Sequence, residues 1–292
     1  MELRKLTGRV NAALPARVTS AARKAVLAWG MATSRFRMTP SFIVVGAQRA
    51  GTTTLFRVLS EHPDVVRPTL SKGIGYFDLN YDKSQRWYRG HFPLKRGRLK
   101  AFESSGYYLF HPLAAQRIAR DLPEVKVVVM VRDPIERAYS AHRHELVRGF
   151  ETLGFEDALA KESERLAGEE ERLVADPSYQ SYEHRHHGYL ARSRYAGQIE
   201  RFIEEVGRDR VYVIDADRFF GNPQELTGLF DWLGLSRWLP AEVGKHNAQA
   251  REPMDPELRA RLEDEFADDD ARLAALMGRT PSWREATSDA ES

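Results

Sequence analysis

The chain has 292 residues, of which 42% are hydrophobic and 29% charged, so it can bury a sizeable core and is not a disordered polypeptide. It contains no cysteine, which excludes disulfides, cysteine-ligated zinc and cysteine nucleophiles. No apolar run approaches the roughly 18 residues that a membrane-spanning helix needs. The N-terminal segment also lacks a secretory cleavage site, so we expect a cytoplasmic protein.

The net charge of +2 is unevenly distributed. Residues 1–40 carry eight basic side chains and one acidic side chain, whereas the rest of the chain has a net charge of −5. Such a basic leader suits peripheral contact with an anionic membrane, and a poorly packed helix with a solvated basic face is the alternative. The mildly acidic body is untypical of nucleic-acid-binding proteins, so we expect no nucleic-acid partner.

Beyond Pro40, predicted strands alternate with predicted helices. The apolar run 125–131 is typical of a strand buried on both faces of a parallel sheet. Alternation of this kind predicts right-handed βαβ units, and hence an α/β fold with a central parallel β-sheet flanked by helices in three layers. The predicted strands are 41–46, 99–103, 125–131 and 210–214, and the predicted helices are 53–61, 111–121, 134–148, 155–173, 192–206, 223–233 and 255–277.

These elements predict one large domain over residues 41–284. The basic leader, residues 1–40, precedes it, and we expect residues 285–292 to form a disordered tail. Residues 151–190 are charged and interrupted by turn-forming residues, so we interpret them as an insertion beside the acceptor site.

A phosphate-type loop follows the first strand: residues 46–53 read Gly-Ala-Gln-Arg-Ala-Gly-Thr-Thr and open a helix. Backbone N–H groups and the positive end of a helix dipole suit such a loop to an anion. The pattern is P-loop-like, but Thr52 replaces the lysine that serves the β- and γ-phosphates, which disfavours ATP or GTP hydrolases and nucleotide kinases. A single phosphate or phosphosulfate group fits better; an ordinary turn with surface threonines is the alternative.

A second basic turn lies at the end of the most apolar strand. Arg132 stands at the strand's carboxyl end, and Ser140 lies two turns into the following helix. Ligands of open α/β sheets collect at that edge. Alone, this Arg-Asp-Pro turn would more often be an arginine capping its own loop. Together, the two turns predict a two-headed anion site about one nucleotide long.

The two turns resemble the 5′- and 3′-phosphate loops of sulfotransferases that use 3′-phosphoadenosine 5′-phosphosulfate (PAPS). The resemblance covers roughly residues 41–283 and is closest to the heparan-sulfate-type and bacterial carbohydrate branch. Further motifs in the family's order are Trp87-Tyr88-x-x-His-Phe-Pro93, Glu103-Ser-Ser-Gly-Tyr-Tyr108, Arg192-x-x-Tyr195, Asn247-x-x-x-Arg-Glu-Pro-Met254 and Gly278-Arg279-x-x-x-Trp283.

The resemblance implies sulfuryl transfer from PAPS, without a metal, to a hydroxyl or amine of a small-molecule, glycan or glycolipid acceptor, with 3′,5′-phosphoadenosine (PAP) as product. Arg132 and Ser140 would hold the 3′-phosphate, and Tyr195 would lie along the nucleotide. Arg251, slightly displaced from the family's basic position, would supply the C-terminal phosphate contact. The residues that would hold the 5′-phosphosulfate end are Arg49, Ala50, Gly51, Thr52, Thr53 and Thr54.

The sequence departs from the family at the catalytic base. The glycan branch has a glutamate where this chain has Gly73, and a glycine cannot accept a proton. Glu103, at the end of the second predicted strand, is our first candidate for the base, and Lys72 is assigned to the sulfuryl group or acceptor. Asp78 and His62 are weaker candidates for the base. The alternative function is a nucleotide-binding pseudoenzyme that has lost turnover.

The segment His184-Arg185-His186-His187 raises the question of a metal site. It is predicted to lie in a loop, without an accompanying acidic ligand pattern, so we expect no metal there. We expect a basic acceptor loop instead, with tyrosines that stack on a sugar or aromatic acceptor; these are Tyr179, Tyr182 and Tyr189.

Overall fold

The computed structural model describes residues 16–240 and 254–285. Five parallel strands form one sheet in the order β2-β3-β1-β4-β5, flanked by helices, so the predicted α/β class is confirmed. The two-residue strand β2 was not predicted, because so short a segment has no periodicity to detect. The strands are β1 (Pro40–Gly46), β2 (Val65–Val66), β3 (Lys100–Ser104), β4 (Lys126–Val131) and β5 (Val211–Asp215).

The seven predicted helices occur in the predicted order, but two of them are interrupted, and the short helices at 85–90, 182–186 and 216–221 were not predicted. The helix predicted over 155–173 is two helices, because Gly168 lies between them in the left-handed region with φ 73°. The helix predicted over 255–277 is interrupted at Phe266. The helices are α1 (Ala16–Ala32), α2 (Thr52–Glu61), α3 (Gln85–Gly90), α4 (Ala114–Asp121), α5 (Pro134–Val147), α6 (Phe155–Leu166), α7 (Glu169–Ala175), α8 (Tyr182–His186), α9 (Tyr195–Val206), α10 (Ala216–Gly221), α11 (Glu225–Leu233), α12 (Pro256–Glu265) and α13 (Ala267–Met277).

The sheet places the loops that matter for function. Strand β1 is central and pairs with β3 on one side and β4 on the other, with Val44 beside both Ser104 and Val128. All residues of β4 after Lys126 are buried, which agrees with the unbroken apolar run. Because the three strands are parallel, the turns after β1, β3 and β4 emerge at the same edge.

Helix α1 lies wholly inside the predicted leader, residues 1–40, and packs against α3 at its C-terminal end. A Cβ atom on Gly30 would come within 2.2 Å of the Gly90 carbonyl oxygen, so the two backbones are in direct contact. No helix in 16–240 or 254–285 is long and apolar enough to cross a membrane. Residues 1–15 and 286–292 lie outside the described residues, and the boundaries placed at residues 40 and 284 stay predictions.

Candidate active site

A cleft of about 370 Å³ opens at the carboxyl edge of the sheet. It lies where β1 leads into helix α2 and β4 leads into helix α5, at the two basic turns described in the sequence. The residues that line it are Gln48, Arg49, Ala50, Gly51, Thr52, Thr53, Thr54, Lys72, Gly106, Arg132, Ser140, His144, Asp217 and Phe220.

The loop after β1 turns sharply into helix α2. Arg49 has φ 72° and Gly51 has φ 101°, both in the left-handed region. A side chain at Gly51 would also meet the Phe220 ring, 2.9 Å from an added Cβ, so glycine is required there twice over. No side chain of the described residues caps α2, and the unpaired N–H groups of its first turn are therefore available to an anion.

Two buried arginines hold this loop in place. Arg137 is 0% exposed, and its guanidinium donates to the Gln48 carbonyl at 3.4 Å and to the Ser193 hydroxyl at 2.6 Å. Arg192 donates to the Gln48 side chain and, at 2.8 Å, to the carbonyl of His184. These contacts fix the backbone before any ligand arrives. We did not predict a role for Arg137 from the sequence, because it belongs to no local motif that indicates one.

The two basic turns meet inside the cleft. The Arg49 Nε atom donates to the Ser140 hydroxyl at 3.1 Å, across 91 positions of sequence. Burial, and then the nearby charge of Arg132, lower the pKa of Arg49. Two guanidinium groups that repel each other in a half-buried cleft favour an anion between them. The structure therefore brings Arg49, Arg132 and Ser140 together in one cleft, and their roles in binding a nucleotide stay predictions.

Lys72 also lines the cleft and reaches the start of helix α2. Its Nζ atom donates to the hydroxyls of Thr52 at 3.1 Å and Thr53 at 3.2 Å. Burial lowers the pKa of Lys72 to about 8, because the charged ammonium has lost part of its hydration. The ammonium stands beside the loop that would hold the 5′ end of a nucleotide.

Five of the cleft residues were not predicted as site residues: Gln48, Gly106, His144, Asp217 and Phe220. His144 lies one helical turn beyond Ser140, so its i, i+4 spacing was a usable signal. Burial, followed by the charge of Arg49, lowers the pKa of His144. Phe220 belongs to α10, a helix that the sequence did not predict, and its ring covers Gly51.

Tyr195 supports the cleft from behind. It is fully buried and does not line the cleft; its hydroxyl donates to the backbone carbonyl of Arg132 at 2.9 Å. The structure thus gives Tyr195 a contact that positions Arg132, and its placement along a nucleotide stays a prediction. Arg251 lies outside the described residues.

Comparison with known proteins decides the family. A sequence profile described as "Sulfotransferase domain" matches residues 39–242. The chain belongs to the sulfotransferase family. The predicted family resemblance is therefore confirmed.

Solved and curated relatives agree with this assignment. The crystal structure of a sulfotransferase from Alicyclobacillus acidocaldarius is 32% identical, with a TM-score of 0.70 over 85% of this chain and 100% of that one. The bifunctional heparan sulfate N-deacetylase/N-sulfotransferase 1 of Caenorhabditis briggsae is 26% identical over 90% of this chain and 33% of its own length. The human heparan sulfate glucosamine 3-O-sulfotransferase 3B1 is 28% identical over 68% of this chain and 47% of its own length. This sulfotransferase thus spans only a third to a half of these two curated relatives.

The space beside Gly73 in this sulfotransferase is closed. An added Cβ would come within 2.7 Å of the Ser105 hydroxyl and 2.8 Å of the Ser104 carbonyl oxygen. No side chain fits at this position without movement of the turn after β3. The local packing has therefore adapted to the glycine.

Glu103, the first candidate for the base, lies in the core. It is 0% exposed and does not line the cleft, and burial raises its pKa to about 7. Its carboxylate accepts four hydrogen bonds, which leave little capacity for an acceptor's proton. The donors are the Ile74 amide at 3.0 Å, the Tyr88 hydroxyl at 2.8 Å, the Tyr108 hydroxyl at 3.2 Å and the Ser105 hydroxyl at 3.4 Å. Its role as base stays a prediction that this geometry disfavours.

The two weaker candidates differ from each other. His62 ends helix α2, and its ring contacts the Ser236 carbonyl at 3.0 Å and packs on Phe230, which is a structural role. Asp78 lies in the turn after Lys72 and keeps 8% of its surface exposed. Burial raises the pKa of Asp78 to about 6, opposed by the charges of Arg185 and Arg117.

The histidine segment forms the short helix α8 instead of the predicted loop, and its rings have separate partners. His184 Nδ1 lies 2.8 Å from the Tyr107 hydroxyl, and His186 Nδ1 lies 2.8 Å from Glu145. Across 16–240 and 254–285, no group of three or more potential metal ligands comes together.

The three tyrosines predicted to stack on an acceptor are placed differently from one another. Tyr189 is fully buried and donates to Glu151 at 2.9 Å, so it is a core residue. Tyr179 donates to Glu169 at 2.8 Å, and Tyr182 remains 49% exposed. The assignment of residues 151–190 to the acceptor site stays a prediction, which Tyr189 does not support.

Proposed function

We propose that this sulfotransferase moves a sulfuryl group from PAPS to a hydroxyl or amine of a glycan, glycolipid or small molecule. The observation that carries the proposal is the hydrogen bond between Arg49 and Ser140, which joins two anion-binding turns in one cleft. The cleft volume of about 370 Å³ is of the size of a small-ligand site. A ligand with an anionic group at each end matches this arrangement.

The residues of the cleft fit PAPS. Arg132 and Ser140 would hold the 3′-phosphate, and the loop from Arg49 to Thr54 would hold the 5′ end. When bound, the donor supplies the sulfuryl group, and its phosphate end is the leaving group. Lys72 stabilises negative charge at that end, since its ammonium already lies within 3.2 Å of two loop threonines.

The proton of the acceptor needs a base on the Lys72 side of the cleft. We assign it to Asp78. Both carboxylates are buried and neither lines the cleft, but Glu103 is 0% exposed and accepts four hydrogen bonds, whereas Asp78 is 8% exposed and burial raises its pKa to about 6. A carboxylate with a pKa in this range is mostly ionised at neutral pH and can still accept a proton. Glu103 would then act by holding the Ile74 amide, two residues from Lys72.

The names of the relatives suggest which class of acceptor to test. Both curated relatives described above are named for heparan sulfate, one as an N-sulfotransferase and the other as a glucosamine 3-O-sulfotransferase. We therefore propose a glycan with a free amine or hydroxyl as the first acceptor to test, and a cytoplasmic location for the reaction.

The second candidate function is nucleotide binding without turnover. Gly73 favours it, because the space for a side chain at the family's catalytic position is closed. An assay with labelled PAPS, a panel of glycans including N-deacetylated heparosan, and a cell extract separates the two functions. Label on any acceptor supports the enzyme; label on none, with PAP binding intact, supports the alternative.

Ligand preference tests the cleft itself. PAP at about a hundred times its dissociation constant should stabilise the fold by about 2.7 kcal/mol, a melting shift on the order of 5–10 °C. 5′-AMP and ATP with Mg²⁺ should give smaller shifts. Arg132→Ala should remove most of the preference for PAP over 5′-AMP, because a charge-assisted phosphate contact is lost.

The matched control is Arg237→Ala, which removes an exposed arginine away from the cleft. It should leave the ligand ranking unchanged. A largest shift with ATP and Mg²⁺, or an unchanged ranking in Arg132→Ala, would refute the proposed donor.

A further inference from the structure

A group of exposed apolar side chains lies around the C-terminal half of helix α1. Trp29 is 54% exposed and Phe36 53%, while Val26 and Leu94 are 39% and 38% exposed. Val26 and Trp29 stand three positions apart on one face of the helix. We call this group the apolar patch; its members are Val26, Trp29, Phe36 and Leu94.

Contacts link the two segments that carry the members of the patch. Arg37 pairs with Leu94 in an isolated β-bridge, and the Lys95 amide donates to the Phe36 carbonyl at 2.9 Å. The Arg37 guanidinium lies 4.3 Å from the centroid of the Trp29 ring. The four apolar side chains are therefore carried by one packed unit and not by a loose leader.

The same two segments are strongly basic. Residues 20–38 and 85–98 contain nine arginines and lysines and no aspartate or glutamate. None of the nine forms an ion pair with a carboxylate of the described residues. Most of them are exposed: Arg23, Lys24, Arg35, Arg86, Lys95, Arg96 and Arg98. Exposed positive charge thus lies on the same two segments as the apolar patch, whereas the chain beyond residue 40 has a net negative charge.

We propose that this surface docks on an anionic lipid bilayer. Aromatic side chains flanked by arginines and lysines are typical of surfaces that insert shallowly among lipid head groups, with the apolar part buried and the charges at the phosphates. A polyanionic glycan would use the basic side chains but would leave Trp29 and Phe36 without a role. An anionic lipid surface would contact both the apolar side chains and the basic side chains.

Vesicle co-sedimentation of the full chain tests this docking. The chain should bind vesicles of equal parts phosphatidylcholine and phosphatidylglycerol, and bind phosphatidylcholine vesicles much more weakly. Lys95→Glu with Arg96→Glu should lower the partition coefficient by about 30-fold, since each basic side chain near an anionic surface contributes roughly fivefold. Val26→Ser with Phe36→Ser should lower it by about tenfold through lost apolar burial.

Two double variants serve as matched controls. Arg237→Glu with Arg261→Glu makes the same change in net charge on exposed side chains elsewhere. Val147→Ser with Val174→Ser removes two exposed valines, 77% and 53% exposed, outside the patch. Both should bind the anionic vesicles within about twofold of the unmodified chain, and every variant should keep its melting temperature.

Three outcomes would overturn the proposal. One is equal binding to both kinds of vesicle. Another is equal loss in the control pair Arg237→Glu with Arg261→Glu, which would show that net charge alone acts. The third is tight binding to heparin beads that the Val26→Ser, Phe36→Ser variant retains, together with weak vesicle binding, which would identify a glycan surface instead.

Discussion

The proposed donor half and the proposed acceptor half of the sheet edge are built in different ways. On the donor side, β1 and β4 run directly into helices, and Arg49, Arg132 and Ser140 meet in an open cleft. On the acceptor side, the turn after Lys72 packs onto the end of β3, and the carboxylate Glu103 is sealed under it by four donors. The charged side chains of the first half line an open cleft, whereas the carboxylate of the second half is buried and forms only internal hydrogen bonds.

The difference shows which side could change without loss of the fold. Donor recognition depends on backbone geometry, with φ 72° at Arg49 and φ 101° at Gly51, supported by buried arginines. The proposed acceptor side has Gly73 where the family resemblance leads us to expect a glutamate, and Ser105 and the Ser104 carbonyl occupy the space that a side chain would need. We expect donor binding to be robust and the proton-accepting group to be the feature peculiar to this chain.

The sharpest test of this comparison pairs two carboxylates. Asp78→Asn should lower turnover by about 10²–10⁴-fold with little change in PAP affinity, because it removes the proposed base. Glu103→Gln should change turnover by less than about tenfold. It should lower the free energy of unfolding by about 1–3 kcal/mol, because the glutamine NH₂ group is itself a donor and cannot accept the hydrogen bonds that the carboxylate oxygen accepts. Steady-state kinetics and thermal unfolding of both variants measure the two effects.

The roles would be exchanged if Glu103→Gln lost the larger part of turnover while keeping its melting temperature. In that case Glu103 would be the base, and the acceptor half would be as open to substrate as the donor half. Asn80→Ala, in the same turn as Asp78, checks for a general effect of disturbing that turn, since Asn80 donates to the Gly75 carbonyl at 2.9 Å.

The second test concerns Lys72, which stands between the two halves. Burial lowers its pKa to about 8, so the free enzyme loses this positive charge as the pH rises through that value. kcat/KM for the donor should therefore fall roughly tenfold per pH unit above about pH 8. Lys72→Arg should abolish this falling limb, because a guanidinium keeps its charge throughout the range.

Lys83→Arg is the matched control for the pH profile, since Lys83 is exposed and paired with Asp82 at 2.6 Å. It should leave the profile unchanged. An alkaline limb that persists in Lys72→Arg would mean that another group, or the acceptor itself, titrates there.

The features that could be predicted from the sequence are those that depend on local patterns. The four longer strands and the positions of the two basic turns could be predicted, because a buried strand and a phosphate-type loop are local patterns, as in 125–131 and 46–53. Anion binding by the two turns stays a prediction. Helix α3 was not predicted, because its six residues, Gln85–Gly90, are too few to show helical periodicity.

The rest of the site depends on contacts between residues far apart in the chain. Glu103 was proposed as a base because it stands at the end of the second predicted strand, and only the folded chain shows that the Tyr88 and Tyr108 hydroxyls donate to it. Tyr189 was expected at an acceptor, yet its partner Glu151 lies 38 positions away and holds it in the core. No spacing rule in a single sequence encodes such partners.

The last prediction, with the smallest expected effect, concerns whether a side chain can be accommodated at Gly73. A Cβ there would lie 2.7 Å from the Ser105 hydroxyl and 2.8 Å from the Ser104 carbonyl oxygen, and backbone cannot move aside cheaply. Gly73→Ala should therefore destabilise the fold by about 1–3 kcal/mol in urea unfolding, as overpacking does. Gly221→Ala is the matched control, since an added Cβ meets nothing within 4 Å, and it should change stability by less than about 0.5 kcal/mol. Equal stability of the two variants would mean that the turn after β3 yields readily, and a glutamate at residue 73 would then be sterically acceptable.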